Sequence, residues 1–252
     1  MKAYLDVALE AVAAARDPIL AHFRGDYEVE LKEDQTPVTI ADREAEQAIR
    51  GVLRAAFPEH GIYGEEFGKS DRESEYLWLI DPIDGTKSFV RGDGMFSTQL
   101  ALMHKGRLIV GVSNAPVMDE LAWATLGGGA WLAGERLHVS DIGALSEATV
   151  STGNLASLVA SGRWGALGEI IAASNRSRGY GDFYHYHRLA AGKLDAVIES
   201  DVNVLDIAAL SLVVTEAGGV FTDLEGAPVG LHTRSVLAAT PALHAQLLQR
   251  LS

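Results

Sequence analysis

A strand-like apolar run that ends in carboxylates is the feature of this sequence that most restricts its fold. Residues 76–80 read Tyr-Leu-Trp-Leu-Ile, which is the aromatic and aliphatic make-up of a buried strand. The next residues, 81–86, read Asp-Pro-Ile-Asp-Gly-Thr, and the proline is expected to stop the hydrogen-bond ladder of the strand. The sequence therefore predicts two carboxylates on a rigid turn, followed by a short helix over residues 87–91.

This turn combines groups that suit a metal ion with groups that suit an anion. The carboxylates of Asp81 and Asp84 are the hard oxygen ligands that Mg²⁺ takes. The backbone amides of Gly85 and Thr86, at a predicted helix N-terminus, suit a phosphate group. Together they predict metal-assisted phosphoryl chemistry. The alternative is a strand that ends in an Asx-rich turn, which an isolated pair of aspartates would favour.

The overall charge restricts the partners that this chain can have. The formal net charge is −13 at pH 7, with an isoelectric point near 5.0, which argues against nucleic acid or an anionic membrane as a partner. An acidic site repels an anionic substrate, and divalent cations in that site would remove this problem for a phosphate-handling enzyme. The sequence contains no cysteine, which excludes disulfide bonds and thiolate chemistry.

The size of the chain allows a large core. Its 252 residues, 48% of them hydrophobic, suit one large α/β unit or two closely packed halves, residues 1–142 and residues 143–252. No apolar run approaches the ~20 residues that a membrane-spanning helix needs. Residues 1–6 predict the start of an amphipathic helix rather than a signal peptide, so a cytoplasmic protein is expected.

The first half of the chain predicts a largely antiparallel meander of strands with flanking helices. The predicted helices cover residues 2–23, with a kink or break at Pro18, and residues 40–57, with a polar connection over residues 32–37. The predicted strands cover residues 27–31, a short segment from residue 61, and residues 96–103, 108–112, 121–125 and 130–132. The glycine run 127–129 predicts a hairpin turn, because the Lys-Ser/Thr pair of a phosphate loop does not follow it.

The second half alternates between helices and strands, which fits helices layered on a mixed sheet. The predicted strands cover residues 149–151, 170–173, 194–199, 220–221 and 235–239. The predicted helices cover residues 155–167, 182–191 and 205–217, with a last helix from residue 241. Glycines after the helices at residues 191 and 217 are typical C-terminal stops.

Four further carboxylates are candidates for a site, although each has an ordinary explanation. Asp42 lies in the first turn of a predicted helix, where a negative charge is favourable. Asp206 begins an apolar helix and is either a cap or a metal ligand; spacing alone favours the cap. Asp182 is a helix cap by default, and Glu199 is either a strand-end charge or a substrate contact.

The remaining candidates are two histidines, two arginines and two adjacent glutamates. His185 and His187 lie about 200° apart on a predicted helix, so they are not expected to chelate one ion. The basic pair at residues 176 and 178 is expected to form local salt bridges rather than to bind phosphate. Because neighbouring side chains of a strand point in opposite directions, only one of Glu65 and Glu66 is expected to share a site with Asp81.

Taken together, these residues resemble the inositol monophosphatase superfamily of Mg²⁺-dependent sugar phosphatases, over nearly the whole chain. The motifs that carry the resemblance are Thr-Pro-Val-Thr-Ile-Ala-Asp at 36–42, Gly-Glu-Glu at 64–66, Asp-Pro-Ile-Asp-Gly-Thr at 81–86, Leu-Asp-Ile-Ala-Ala at 205–209 and Glu-Ala-Gly-Gly at 216–219. The resemblance implies an α/β fold, the layered αβαβα sandwich. It also implies a homodimer and an active site between the two halves of each chain.

The resemblance implies specific roles for residues of these motifs, which replace the ordinary explanations for Asp42 and Asp206. The implied metal ligands are Glu65, Asp81, Asp84, Asp206 and the carbonyl group of Ile83, for two or three Mg²⁺ per active site. The implied catalytic residues are Asp42, Glu65 and Thr86, with Asp42 and Thr86 orienting the attacking water. The implied substrate contacts are Asp84, Gly85, Thr86, Asp182 and Glu199, with the amides of Gly85 and Thr86 on the phosphate.

Within the superfamily, the sequence is most similar to the histidinol-phosphate phosphatase branch. Lys-Ser at 87–88 stands where inositol phosphatases usually have x-Asn, and Leu205 stands where they have tryptophan. Asp182 replaces part of their small Gly-Ser/Thr-Ala segment, and with Glu199 it supplies negative charge for the ammonium and imidazole groups of histidinol phosphate. Residues 94–98, Gly-Met-Phe-Ser-Thr, depart from the Pro-x-x-Ala-Thr of that branch, so the pocket wall is expected to differ.

The predicted function is Mg²⁺-dependent hydrolysis of a phosphate monoester, with L-histidinol phosphate as the favoured substrate. The alternatives within enzymes are inositol-1-monophosphatase or a broad-specificity sugar-phosphate phosphatase, followed by fructose-1,6-bisphosphatase and nucleotide 3′-phosphatase. The alternative of another class is a phospholigand- or metal-binding regulatory protein that has lost catalysis. The complete set of acidic residues and Thr86 argues against that alternative.

Overall fold

The computed structural model describes residues 1–23, 29–31, 37–70 and 74–251. The helices in these ranges are α1 (Lys2–Phe23), α2 (Ile40–Ala56), α3 (Thr86–Val90), α4 (Leu155–Ala160), α5 (Trp164–Ala173), α6 (Asp182–Ala190), α7 (Val204–Glu216) and α8 (Pro241–Leu251), with a 3-10 turn at Leu145–Glu147. The predicted strand residues 27 and 28, the connection 32–36 and the first residue of the motif at 36–42 lie outside the described residues.

The strands form two main sheets and a small two-stranded one. The strands of the first half are β1 (Val29–Leu31), β2 (Pro37–Thr39), β3 (Gly61–Gly64), β4 (Gly68–Lys69), β5 (Tyr76–Asp84), β6 (Ser97–His104), β7 (Arg107–Ala115), β8 (Glu120–Thr125), β9 (Gly129–Leu132) and β10 (Glu135–Arg136). Those of the second half are β11 (Thr149–Gly153), β12 (Arg176–Arg178), β13 (Ala196–Ser200), β14 (Val220–Thr222) and β15 (Ser235–Ala239).

The larger sheet has the order β10-β9-β8-β7-β6-β5-β3-β4. Its pairs are antiparallel except for β3 and β5, which run parallel, so the predicted meander is confirmed. The smaller sheet has the order β12-β11-β13-β15-β14 and is mixed, because β11 runs parallel to both of its neighbours. The β1–β2 pair forms the small sheet.

Helices and sheets alternate in the predicted αβαβα order. Helices α1 and α2 share a core with the eight-stranded sheet, because alanine, isoleucine and leucine recur at helical spacing along α2, for example at Ala45, Ile49 and Leu53. Helices α6 and α7 share cores with both sheets, and α4, α5 and α8 share a core with the five-stranded sheet. The architecture therefore confirms the fold class that the sequence predicts.

Helix α7 is apolar on nearly all sides because it lies between the two sheets. Its residues from Val204 to Val214 are buried apart from Asp206, which is partly exposed. The helix lies very close to β7, since a Cβ atom at Gly111 would be 2.7 Å from the carbonyl oxygen of Ala209. This close packing fixes the start of α7, and therefore Asp206, relative to the larger sheet.

The structure corrects the predictions made for two prolines. Helix α1 runs through Pro18, so the predicted break is wrong, while the alternative of a kink stays a prediction. Ala15 and Ile19 on either side are fully buried and hold the segment against the core. Strand β5 does not end at Pro82 but continues to Asp84, with an irregular register between Asp81 and Asp84. The Thr98 hydroxyl donates to the Pro82 carbonyl at 2.9 Å and helps to hold this irregular segment.

The structure also corrects the order of elements between residues 155 and 178. The predicted helix 155–167 is divided into α4 and α5, and the predicted strand 170–173 is the end of α5. Leu167 and Ile170 lie on one buried helical face, a pattern that a short apolar run does not distinguish from a strand. The strand is instead β12, whose three residues are exposed at the sheet edge.

None of the helices in the described part of the chain combines the length and hydropathy that a membrane crossing requires.

Candidate active site

Three aspartates from two elements form a cluster between the halves of the chain. Asp81 and Asp84 lie at the end of β5, and Asp206 lies in the first turn of α7. One carboxylate oxygen of each lies within 4.8 Å of the others, and Asp81 is almost fully buried. The predicted encounter of Asp206 with the turn at residues 81–86 is therefore present in the structure.

Glu65 lies beside this cluster because β3 and β5 are parallel neighbours. Their ends meet at one edge of the sheet, and the Glu65 amide donates to the Ile80 carbonyl at 3.1 Å. The carboxylate of Glu65 is close enough to raise the pKa of Asp81 both by charge repulsion and by a side-chain hydrogen bond. The structure thus brings Glu65, Asp81, Asp84 and Asp206 together, as the motifs predict.

Burial and mutual repulsion make this cluster costly to ionise. Burial, then Glu65, Asp206 and Asp84, raise the pKa of Asp81 well above its usual range. Burial, followed by repulsion from the carboxylates of Asp182 and Asp206, also raises the pKa of Asp84 well above its usual range. Burial raises the pKa of Asp206 to about 7, against the lowering effect of its hydrogen bond from the Asn203 amide. A divalent cation among these oxygens would remove the repulsion.

The donor set fits a hard cation. All of the clustered ligand atoms are carboxylate oxygens, the type that Mg²⁺ and Ca²⁺ take, and no cysteine exists in the chain. The Ile83 carbonyl, another predicted ligand, accepts the Thr86 hydroxyl at 2.9 Å. Because a carbonyl oxygen has two lone pairs, that hydrogen bond is compatible with a ligand role, which stays a prediction.

Asp42 and Asp206 are both helix caps as well as candidate site residues. Each is the third residue of its helix, and its carboxylate accepts a hydrogen bond from the backbone amide of the N-cap residue, as in a capping box. The Thr39 amide and hydroxyl donate to Asp42 Oδ2 at 2.8 and 2.7 Å, and the Asn203 amide donates to Asp206 Oδ2 at 2.8 Å. Since a carboxylate has two oxygens, a cap made by one of them does not exclude a second role for the other.

The turn between β5 and α3 requires glycine at position 85. Gly85 has a φ of 89°, and a Cβ atom there would lie 2.7 Å from the Met95 carbonyl oxygen. Thr86 then begins α3, which contacts strand β2 just before Asp42. The partnership of Asp42 and Thr86 in orienting water, and the phosphate contacts of the Gly85 and Thr86 amides, stay predictions.

A second acidic wall faces the cluster across a small cleft. The lining residues are Asp84, Asn154, Asp182, Tyr186, Glu199, Val202, Asp206 and Leu210. Glu199 is buried, and its Oε2 accepts the Tyr186 hydroxyl at 2.6 Å and pairs with His185 Nε2 at 3.1 Å. A Cβ atom at Gly153 would overlap the Glu199 carboxylate, so glycine makes room for it. Glu199 is therefore held in one place at the cleft.

Asp182 stands on the same wall in an unusual backbone conformation. Its φ is 48°, in the left-handed region that aspartate and asparagine tolerate better than most residues. Burial, then the nearby Glu199 carboxylate, raises the pKa of Asp182 to about 6, although His185 opposes the shift. The predicted substrate contacts Asp182 and Glu199 thus lie together and on the cleft, where Asp84 and Asp206 form the opposite side.

Sequence reasoning missed the polar residues that support these carboxylates. Ser97 donates to Asp84 Oδ2 at 3.4 Å, and Gln99 Nε2 donates to the Ser97 hydroxyl at 2.7 Å. The signal for this pair was the polar start, Ser-Thr-Gln at 97–99, of an otherwise largely apolar strand, in which residues 97 and 99 point to the same side. His185 and His187 have different partners, since His185 pairs with Glu199 at 3.1 Å and His187 pairs with Glu120 at 2.9 Å.

The arginines of β12 are not among the residues that line this cleft, and the predicted local salt bridges are wrong. Among the described residues, neither Arg176 nor Arg178 forms an ion pair. Both side chains are exposed on the edge strand, and Arg178 Nη1 donates instead to the Ser177 carbonyl at 2.8 Å.

The sequence matches the inositol monophosphatase family over residues 1–252. It is 39% identical over 232 residues to the histidinol-phosphatase of Streptomyces coelicolor, covering 88% of this chain and 86% of that protein. The histidinol-phosphatase of Mycobacterium tuberculosis is also 39% identical, covering 90% of this chain and 89% of its own length. Among solved structures, the extragenic suppressor protein suhB of Bartonella henselae superposes with a TM-score of 0.90 at 29% identity, covering 99% of this chain and 98% of that one. These similarities span both halves of the chain.

Proposed function

Because the chain belongs to the inositol monophosphatase family and is a phosphoric monoester hydrolase, we propose that it converts L-histidinol phosphate and water to L-histidinol and phosphate. The observation that carries this proposal is the pair Asp182 and Glu199, which line one cleft with the aspartate cluster. A phosphate at the cluster places its alcohol part against this acidic wall. Histidinol bears an ammonium group that suits such a wall, and the two relatives named above are histidinol-phosphatases.

We assign the metal-binding role to Glu65, Asp81, Asp84, Asp206 and the Ile83 carbonyl, with Mg²⁺ as the metal and two or three ions per active site. This set is supported by its all-oxygen chemistry and by the repulsion that raises the pKa of Asp81. When bound, Mg²⁺ supplies Lewis-acid stabilisation of phosphoryl oxygens and lowers the pKa of a water molecule.

The other residues of the turn and of α2 bind and orient the reactants. In this proposal the amides of Gly85 and Thr86 donate to the phosphate, and Asp42 with Thr86 orients the attacking water in line with the leaving alcohol. Asp42 accepts a proton from that water, and its position is fixed by the cap contacts to Thr39. The homodimer and the cytoplasmic location stay predictions from the resemblance and the composition.

The substrate assignment predicts a strong preference among three phosphate esters. We expect Mg²⁺-dependent phosphate release from L-histidinol phosphate with a kcat/KM about 100-fold above that for inositol 1-phosphate or fructose 1,6-bisphosphate. That ratio corresponds to about 2.7 kcal/mol of differential transition-state binding. Comparable rates on all three esters would be consistent with a phosphatase but would contradict the histidinol phosphate assignment, and a broad-specificity enzyme of the same family would replace it.

The role of Asp182 predicts a selective loss in the Asp182→Asn variant. Removing one charge from the contact with the ammonium group should lower kcat/KM for histidinol phosphate about 10–100-fold. This is the loss expected when a hydrogen bond between charged groups is weakened to one with a neutral partner. The rate on inositol 1-phosphate, which has no cation, should stay within about threefold. Asn also tolerates the φ of 48°, so the backbone is not disturbed.

Asp119→Asn is the matched control for this experiment. Asp119 also has a left-handed φ, of 55°, and is exposed in the β7–β8 hairpin. We expect this variant to retain the native rates on both esters. Equal losses on both esters in Asp182→Asn would contradict a role in recognising the cation.

A further inference from the structure

Helix α2 contains a buried ion pair that none of the roles above uses. Glu46 is fully buried, Arg50 is 5% exposed, and Arg50 Nε donates to Glu46 Oε1 at 2.7 Å. The pair begins one helical turn after Asp42. Because burying two charges costs much of what their attraction supplies, a buried pair is weak support for stability by itself. Its other contacts therefore indicate what it does.

Those contacts are made to the backbone of one turn, between β3 and β4. Glu46 Oε2 accepts the Glu66 amide at 2.7 Å, and Oε1 accepts the Phe67 amide at 3.4 Å. Arg50 Nη2 donates to the Gly68 carbonyl at 2.7 Å. The ion pair thus binds both the amide and the carbonyl groups of this turn.

The same turn contains Glu65, and Glu46 also restricts the residue before it. A Cβ atom at Gly64 would overlap the Glu46 carboxylate, so the carboxylate packs directly on the glycine backbone. On the other side, the Glu65 amide donates to the Ile80 carbonyl at 3.1 Å. The backbone on both sides of Glu65 is therefore held by Glu46, and the amide of Glu65 itself is held by β5, the strand that contains Asp81.

We propose that Glu46 is a positioning residue that, oriented by Arg50, fixes Glu65 beside Asp81 for binding of a divalent cation. This inference rests on the proposed role of Glu65 as a metal ligand. A ligand on a turn needs its backbone fixed, since an unsupported carboxylate must be ordered each time the cation binds. Residues that support metal ligands in this way typically contribute 10–100-fold to metal affinity.

The substitution that tests this role is Glu46→Gln, which keeps the size of the side chain. The carboxylate accepts from Arg50, Glu66 and Phe67 through two oxygens. Glutamine has one acceptor oxygen, so its NH₂ group must face either the Glu66 amide or Arg50 Nε, donor against donor. We expect the Kd for Mg²⁺, titrated calorimetrically without substrate, to rise about 10–100-fold, with the melting temperature recorded separately.

The chain offers a matched control in Glu216, at the end of α7. Its two carboxylate oxygens accept the amides of Gly127 and Gly129, at 2.8 and 2.9 Å, in the β8–β9 turn. It therefore holds a turn in the same manner as Glu46, about 15 Å along α7 from Asp206. We expect Glu216→Gln to lower the melting temperature while its Kd for Mg²⁺ stays within about twofold of native.

Two further variants separate the possible failures. A folded Glu46→Gln protein whose Kd is within about twofold of native overturns the proposal; if that variant does not fold, Arg50→Lys is judged by the same criterion. Lysine keeps the charge but carries its donors on one nitrogen, so it does not reproduce the planar fork by which Arg50 reaches Glu46 from Nε and the Gly68 carbonyl from Nη2. If Glu65→Gln leaves Mg²⁺ binding unchanged, the metal role of Glu65 is wrong and the positioning role falls with it. If Glu65→Gln weakens binding but Glu46→Gln does not, only the positioning role is wrong.

Discussion

The Asp84→Asn variant is expected to remain folded, and its rate of Mg²⁺-dependent phosphate release is expected to fall about a thousandfold. That fall corresponds to roughly 4 kcal/mol of transition-state stabilisation. Asp84 lies in the aspartate cluster and also lines the cleft toward Asp182 and Glu199. Asparagine has nearly the same shape but lacks the negative charge that attracts the cation. The loss should therefore appear in kcat at saturating Mg²⁺ as well as in the apparent affinity for the metal.

The same variant should gain stability when metal is absent. Burial, then repulsion from Asp182 and Asp206, raises the pKa of Asp84, so its ionised form costs free energy in the folded state. Replacing it with a neutral side chain removes that cost, and the melting temperature in a chelator at pH 7.5 should rise above that of the native chain. Loss of activity together with a gain in stability distinguishes a lost ligand from a damaged fold.

A suitable control is Asp223→Asn, in the second half of the chain. Asp223 Oδ1 accepts the amides of Glu225 and Ala227 at 3.0 and 2.7 Å in a turn outside the cluster. Because asparagine keeps an acceptor oxygen, this variant should retain native turnover. Normal phosphate release by Asp84→Asn would show that the assignment of the cluster as the catalytic metal site is wrong.

The place of the cluster could be predicted because it depends on local rules. The apolar run of β5 indicates a buried strand, and the apolar helix α7 indicates a buried helix, each with aspartate near one end. A carboxylate at the end of a buried element has to meet solvent, a partner or a cation. The spacing of the residues could not predict the double role of Asp42 and Asp206, because a helix cap and a site residue were considered as alternatives.

Tertiary packing explains the parts of the fold that sequence reasoning missed. A proline lowers helix propensity, but buried neighbours at positions 15 and 19 hold α1 together around Pro18. The segment 170–173 is apolar enough for a strand, but it is helical, and Ile170 packs in one core with Leu167. In both places a local preference of a few kcal/mol or less was outweighed by burial.

The supporting residues of the site could not be predicted, because their partners are distant in the sequence. Glu46 and the Glu66 amide are 20 positions apart, and His185 and Glu199 are 14 apart. No period in a single sequence indicates such a pair. In the sequence, Glu46 also looks like an ordinary exposed residue of α2, because the pattern of apolar residues indicates only which apolar positions face the core.

The free energy of unfolding of the metal-free protein is expected to fall as the pH rises from about 5.5 to 8. Burial raises the pKa of Asp182 to about 6 and that of Asp206 to about 7, above the ~3.9 of an unfolded aspartate. The folded state therefore binds protons more tightly than the unfolded state does. This tighter proton binding stabilises the folded state fully at a pH below the pKa of the aspartates in the unfolded chain. The stabilisation is lost as the pH rises through 6 and 7.

Mg²⁺ should offset this loss of stability, since it binds the ionised carboxylates and only the folded chain presents them together. Each pKa unit corresponds to 1.36 kcal/mol, and 1 kcal/mol shifts the melting temperature of a chain of this size by about 2–4 °C. We expect a fall of at least about 5 °C between pH 5.5 and 8 in a chelator, and little or no fall in saturating Mg²⁺. A smaller fall in Asp206→Asn would assign the effect to the cluster, because that variant lacks the group with the pKa of about 7. A metal-free melting temperature that stays constant or rises over this range would mean that the cluster is already neutralised without a cation, and the Mg²⁺ assignment would lose its electrostatic basis.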